Sequence, residues 1–226
     1  MLQTLKANRG AVVAPHHLAS QAGLRVLQDG GNAIEAMVAA AATIASVYPH
    51  MNALGGDNFW LISTPGSDVV GIDACGAAAA KADIAFYRDQ GLDAIPSRGP
   101  LAALTVAGIV SGWQAALDIS EKWGGGLALP RLLEDAEYYS RTGFPVTASQ
   151  HLNTADKLAE LKDVPGFAET YLANGNPPET GTPFKNPAFA RTLERLGGKG
   201  LDDFYRGGLA QDMATDLMSA GSPVTA

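Results

Sequence analysis

The chain has 226 residues, 46% apolar and 17% charged, enough apolar material for one buried core and too little charge for disorder. A net charge of −7, with no run of Lys or Arg to override it, argues against nucleic acid as a partner. The single cysteine, Cys75, excludes an internal disulfide and a cysteine-built zinc site.

One domain covering residues 1–226 is expected. The N-terminal stretch MLQTLKANRGAVVAP has no apolar targeting segment, which points to a cytoplasmic location. HLASQAGLRVLQDGG (17–31) places Leu18, Ala22, Val26 and Leu27 at helical spacing, with Gly30 suited to the left-handed residue that ends a helix near Asp29. Asn32 followed by Glu35 is an Asn variant of the capping box and starts a second helix over about 33–47. Its run AIEAMVAAAATIASVY (33–48) contains Glu35 and is mostly alanine, so it reads as a buried helix and not as a membrane span.

NFWLIST (58–64) and DVVGIDAC (68–75), separated by PGS, read as a β-hairpin. Helical sequence returns at FYRDQG, so the order is helix, helix, strand, strand, helix, a layered design with antiparallel strands. From about residue 113 the chain reads as mostly helical, over 113–123, 130–143, 148–162, 186–198 and 207–221. The Pro- and Gly-bearing stretch 163–186 reads as a surface loop or an interruption between helices. The final SAGSPVTA begins what looks like a turn into a further element, so more chain is expected to complete the unit.

No phosphate-binding GxxxxGK, dinucleotide GxGxxG, GxSxG elbow or HExxH occurs, so no nucleotide, metal or other cofactor is expected. His16, His17, His50 and His151 read as capping or packing residues, because adjacent residues on a helix point about 100° apart and make poor chelators. Asp73 and Cys75 share one face of their strand and are candidate substrate-binding residues lining a pocket; a buried small hydrophobe beside a turn aspartate is the alternative. LGGDNF (54–59) has two readings as well: a bend ahead of a core strand, or the wall of a site whose nucleophile lies elsewhere.

GLRVLQDGGNAIEAMVAAA with YPHMNALGGDNFWL, then TVAGIVSGW (105–113), WGGGLALPRLLEDAEYYSRTGFPV (123–146) and PFKNPAFARTLERLGGKGLDDFYRGGLAQDMA (183–214), resembles the γ-glutamyltranspeptidase family over nearly the whole chain. The resemblance implies an N-terminal-nucleophile hydrolase: a four-layer αββα sandwich made as a self-cleaving precursor, of which this chain is the large-subunit portion. It implies as partner a small subunit from the same precursor, carrying a threonine whose own α-amine takes the hydroxyl proton. It also implies a small-molecule amide as substrate, attacked at its carbonyl to give an acyl-enzyme that water or an amine resolves. No catalytic residue is assigned to this chain, and Thr225 does not match the cleavage threonine.

One departure stands out. Where γ-glutamyl enzymes read like DFRExAP, with an arginine for the substrate α-carboxylate, this chain reads DACGAAA and has Cys75. A neutral thiol cannot make the paired hydrogen bonds that a guanidinium makes with a carboxylate. Three readings follow: a γ-glutamyl transferase or hydrolase gripping its substrate with another cation, an amidohydrolase of oxamate or another small acyl amide (or an acylase), and a non-catalytic scaffold of the same fold.

Overall fold

His16 and Asn32 begin the first two helices, α1 (His17–Gln28) and α2 (Ala33–Val47), in the computed structural model, which describes residue 4 and residues 6–225. Residues 1–3, 5 and 226, parts of the N-terminal stretch and of SAGSPVTA, lie outside the described residues. The His16 ring nitrogen Nδ1 accepts the Leu18 N–H at 3.2 Å, and α1 closes where Gly30 takes a φ of 92°. Asn32 Oδ1 accepts the Ile34 and Glu35 N–H groups at 3.0 and 3.1 Å, and Glu35 Oε2 accepts the Asn32 N–H at 2.9 Å, the expected capping box. The other carboxylate oxygen of the buried Glu35 accepts the Leu127 N–H at 2.9 Å, so the capping residue also anchors a distant loop.

α2 is buried on nearly every side because its alanines let neighbours approach closely. It packs on α1 and on α5 (Leu129–Thr142), and α5 packs on α8 (Pro187–Lys199). α4 (Ile109–Lys122) lies against α2 and sends the fully buried Trp113 into the same core as Val26, Val38, Leu132 and Leu193.

The hairpin pairs β1 (Asn58–Ile62) with β2 (Val70–Ala74), antiparallel, with Trp60 opposite Ile72 and Phe59 opposite Asp73. Trp60, Ile62 and Ile72 pack with Ile34, Ala116 and Ile119, which fixes the register, since a slip of one residue would turn this set outward. On the other face Phe59 is 68% and Leu61 85% exposed. The described residues thus form a helical core with this ribbon laid against it, the outer face of the ribbon bare.

The remaining α-helices are α3 (Ile84–Arg88), α6 (Ala148–Leu161), α7 (Phe167–Tyr171), α9 (Asp203–Arg206) and α10 (Gly208–Ser219), with a short 3-10 helix at Pro100–Ala102. Stretch 163–186 is not wholly loop: it holds α7 and β4 (Pro183–Phe184), which pairs with β3 (Phe144–Pro145). The Phe144 and Phe184 rings meet edge-on at 5.7 Å over Val47 and Val146. Strands of two residues carry no periodicity, so only this packing reveals them.

Candidate functional site

The LGGDNF turn works mainly through its backbone. The Gly56 carbonyl accepts the N–H groups of Gly108 and Ile109 at 2.9 and 3.0 Å, so it caps α4, whose N-cap Gly108 has no side chain to do so. The Tyr205 hydroxyl accepts the Ser111 N–H at 2.8 Å and donates to the Ala107 carbonyl at 2.8 Å, completing the cap. These tertiary partners let α4 begin at Ile109, ahead of the start at residue 113 that the sequence pattern predicts.

Asp57 joins the two ends of the hairpin: its Oδ1 accepts the Gly76 N–H at 2.8 Å. Gly76 then presses on the 103–108 segment so closely that a Cβ there would overlap the Val106 carbonyl oxygen. Gly108 and Gly112 are equally constrained, by the Ala74 carbonyl and by the Asn58 side chain. Beyond Gly76 the chain continues as a partial strand, with Val106 N–H donating to Ala77 and Ala79 N–H to Leu104 at 2.9 and 2.8 Å. Gly55, by contrast, faces open space and borders a cavity of about 660 Å³ whose walls include Val106, Phe204, Met213, Leu217 and Thr225.

Asp73 and Cys75 both lie exposed at this hairpin end, on the bare side of β2, as strand alternation predicts. Asp73 Oδ1 accepts the Cys75 N–H at 3.0 Å. A side-chain hydrogen bond to the Asp73 carboxylate, and the negative charge of Asp73 and Asp57, push the Cys75 thiol above its ordinary value. The thiol therefore stays neutral at pH 7 and is neither a nucleophile nor a cation. Asp57, missed as a site residue in the sequence pattern, is thus a positioning residue for the Cys75–Gly76 corner.

The histidines cap and pack. His16 and His17 stack at 4.6 Å, His50 lies 4.2 Å from the Tyr48 ring with its Nε2 3.1 Å from Ser149 Oγ, and His151 Nδ1 lies 3.0 Å from the Pro178 carbonyl oxygen. Ser149 also contacts Tyr48 and Thr147, a network that knits the ends of α2 and α6 and has no carboxylate to orient the imidazole. Among the described residues no group of three or more His, Cys, Asp and Glu is arranged to hold a metal ion, and no helix is long and apolar enough to cross a membrane.

Burial, with the charges of His17 and His50 nearby, lowers the His16 pKa from 6.5 to about 4. Below pH 6.5 the unfolded chain takes up a proton that the native His16 refuses, so stability present at neutral pH is lost as pH falls toward 4. The difference is worth about 3 kcal/mol. A urea series at pH 7.0 and pH 4.5 should show this loss, and His16→Asn, which keeps a capping acceptor without a titrating ring, should remove most of it. An equal acid loss in the Asn variant would mean that other groups carry it.

Residues 19–226 match the family model described as gamma-glutamyltranspeptidase. The chain belongs to the γ-glutamyltranspeptidase family. It is 55% identical over 220 residues to the oxamate amidohydrolase proenzyme of Klebsiella pneumoniae, covering 97% of this chain and 41% of that protein. It is 38% identical over 226 residues to the glutathione hydrolase-like YwrD proenzyme of Bacillus subtilis, covering 100% of this chain and 42% of that protein. The crystal structure of Helicobacter pylori gamma-glutamyltranspeptidase superposes with a TM-score of 0.89 at 26% identity, over 99% of this chain and 64% of that one. The fold is thus the α+β fold of γ-glutamyltranspeptidases, in its large-subunit portion. The chain spans about two fifths of the length of these two curated relatives, both of them proenzymes.

Proposed function

We propose that the full-length protein is an amide hydrolase of the γ-glutamyltranspeptidase family that acts on a small acyl amide of the oxamate class. Its attacking threonine would lie in a small subunit outside this chain. The carrying observation is the hairpin end: a neutral, exposed Cys75 beside the Asp57 and Asp73 carboxylates, where the family pattern has an arginine. Such a corner offers no cation to a carboxylate and repels one by charge.

The chemistry of the two substrate classes supports this reading. In a γ-glutamyl amide three carbons separate the scissile carbonyl from the α-carboxylate, so a distant grip is needed. In oxamate the carboxylate is bonded to the scissile carbon itself, and loss of the distant grip costs nothing. The 55% identity to an oxamate amidohydrolase supports the same reading.

The test is ammonia release from oxamate and from glutamine, and glutamate release from glutathione, by the full-length protein. A threonine-to-alanine precursor at the cleavage position serves as the control. Oxamate should exceed glutathione in kcat/KM by at least about tenfold, the worth of one charge-assisted pair. Preference for γ-glutamyl substrates would sink the proposal, and self-cleavage without turnover of any amide would favour the scaffold.

A further inference from the structure

A cavity of about 640 Å³ opens between the turn after α2, the C-terminal half of α6 and α7. The chain as a whole has 23 acidic residues against 16 basic ones, yet the lining of this cavity includes Arg98 and Lys157 and neither Asp nor Glu. Against that average the site is a local concentration of positive charge.

Glu160 holds the two cations on one wall. Its Oε2 lies 3.8 Å from Arg98 Nε and 3.3 Å from Lys157 Nζ. Glu160 is not itself in the lining, so the charged side chains the cavity presents are the two cations. Asp156, 3.9 Å from Lys157, is 77% exposed and weakened by solvent. Both cations are about half exposed, at 50% and 44%, so each can meet an incoming anion without a large desolvation cost.

The rest of the cavity mixes apolar and aromatic residues with the polar Asn153, Thr154 and Thr170. Phe167 and Tyr171, one turn apart on α7, stack at 5.4 Å with an interplanar angle of 29°. Burial raises the Tyr171 pKa, so its hydroxyl stays protonated and adds no negative charge. Met51 and Leu161 also line the cavity. His50 contributes a ring whose Nε2 is held by Ser149, and desolvation keeps it neutral. The volume lies in the range of sites for drug-sized small molecules, which pair an apolar wall with a few convergent polar groups.

From this wall of two cations facing stacked rings, we infer that the cavity binds a small organic anion with a flat apolar body, a carboxylate of the arylacetate class. The carboxylate seats against Arg98 and Lys157, and the ring packs on Phe167 and Met51. The inference is independent of the amidase reading and holds for the chain whichever amide the full-length protein cleaves.

The probe is 4-fluorophenylacetate, titrated against the full-length protein and followed by fluorine NMR. Neutral 4-fluorobenzyl alcohol tests the need for charge, and inorganic phosphate tests the need for the ring. We expect the Arg98→Ala/Lys157→Ala double variant and, separately, Phe167→Ala to bind the probe at least about tenfold more weakly. The alcohol and phosphate should likewise be at least about tenfold weaker than the probe. An unchanged far-UV spectrum and melting temperature for the double variant exclude misfolding as the cause. Undiminished binding by the double variant, equal binding of the alcohol, or no binding of the probe by the wild type at about 10 mM would each overturn the proposal.

Discussion

Cys75→Arg in the full-length protein should raise kcat/KM for glutathione and other γ-glutamyl amides by about 10- to 100-fold, while oxamate turnover changes little or falls. The new guanidinium would stand between Asp73 and Asp57, whose carboxylates lie at the same hairpin end and raise the thiol now present. Such neighbours orient an arginine and leave part of its fork for a substrate carboxylate. A hydrogen bond between charged groups contributes roughly 1.5–3 kcal/mol, which sets the range given. Cys75→Lys should gain less, because an ammonium cannot pair in two places with a planar carboxylate. Parallel rates with oxamate, glutamine and glutathione would check this. Equal, negligible gains in both variants would mean that the corner does not meet the substrate.

Gly76→Ala should destabilise the protein by about 3 kcal/mol, the upper end of the range for forced overpacking. An added methyl overlaps the carbonyl oxygen of Val106, a backbone atom that cannot swing aside as a flexible side chain would. Relief by moving the strand would break the Asp57–Gly76 hydrogen bond and the ladder between 77–79 and 104–106. Gly198→Ala provides the contrast: Gly198 lies exposed in α8 with no atom near its missing Cβ, and alanine there should stabilise by about 0.5–1 kcal/mol. Urea unfolding midpoints of the two variants should move in opposite directions. A Gly76→Ala midpoint equal to wild type would show that the hairpin end is looser than its packing implies.

The parts of the fold that could be read from the sequence are those whose partners lie within a turn or two. Asn32 and Glu35 announce the start of α2 because each bonds the other's backbone three residues away, and Gly30 announces the end of α1 because its φ is positive. The hairpin is legible in the same way, from β-branched and aromatic runs around a Pro-Gly turn, and alternation correctly puts Asp73 and Cys75 on one face. The β3–β4 pair is not legible: it depends on Phe144 meeting Phe184 across two intervening helices, α6 and α7, and their loops.

For the candidate site the division is sharper. The replacement of an expected arginine by Cys75 is visible in the sequence, and with it the doubt over γ-glutamyl recognition. Whether LGGDNF was a bend or the wall of a site could not be read, because the partners of its backbone and side-chain atoms lie far along the chain. The Gly56 carbonyl caps a helix that starts near residue 108, and Asp57 grips a backbone N–H at residue 76. A main-chain carbonyl leaves no side-chain signature of its distant partner.

By itself, then, the sequence determined the helices with local caps, the hairpin and its two faces, the family to which they belong and the missing cation at Cys75. Only the tertiary structure decided where α4 begins, what Asp57 holds, and which residues gather around the Arg98–Lys157 cavity. Those features arise from contacts between segments far apart in the chain, whose closeness is set by packing against a shared core and not by any local preference.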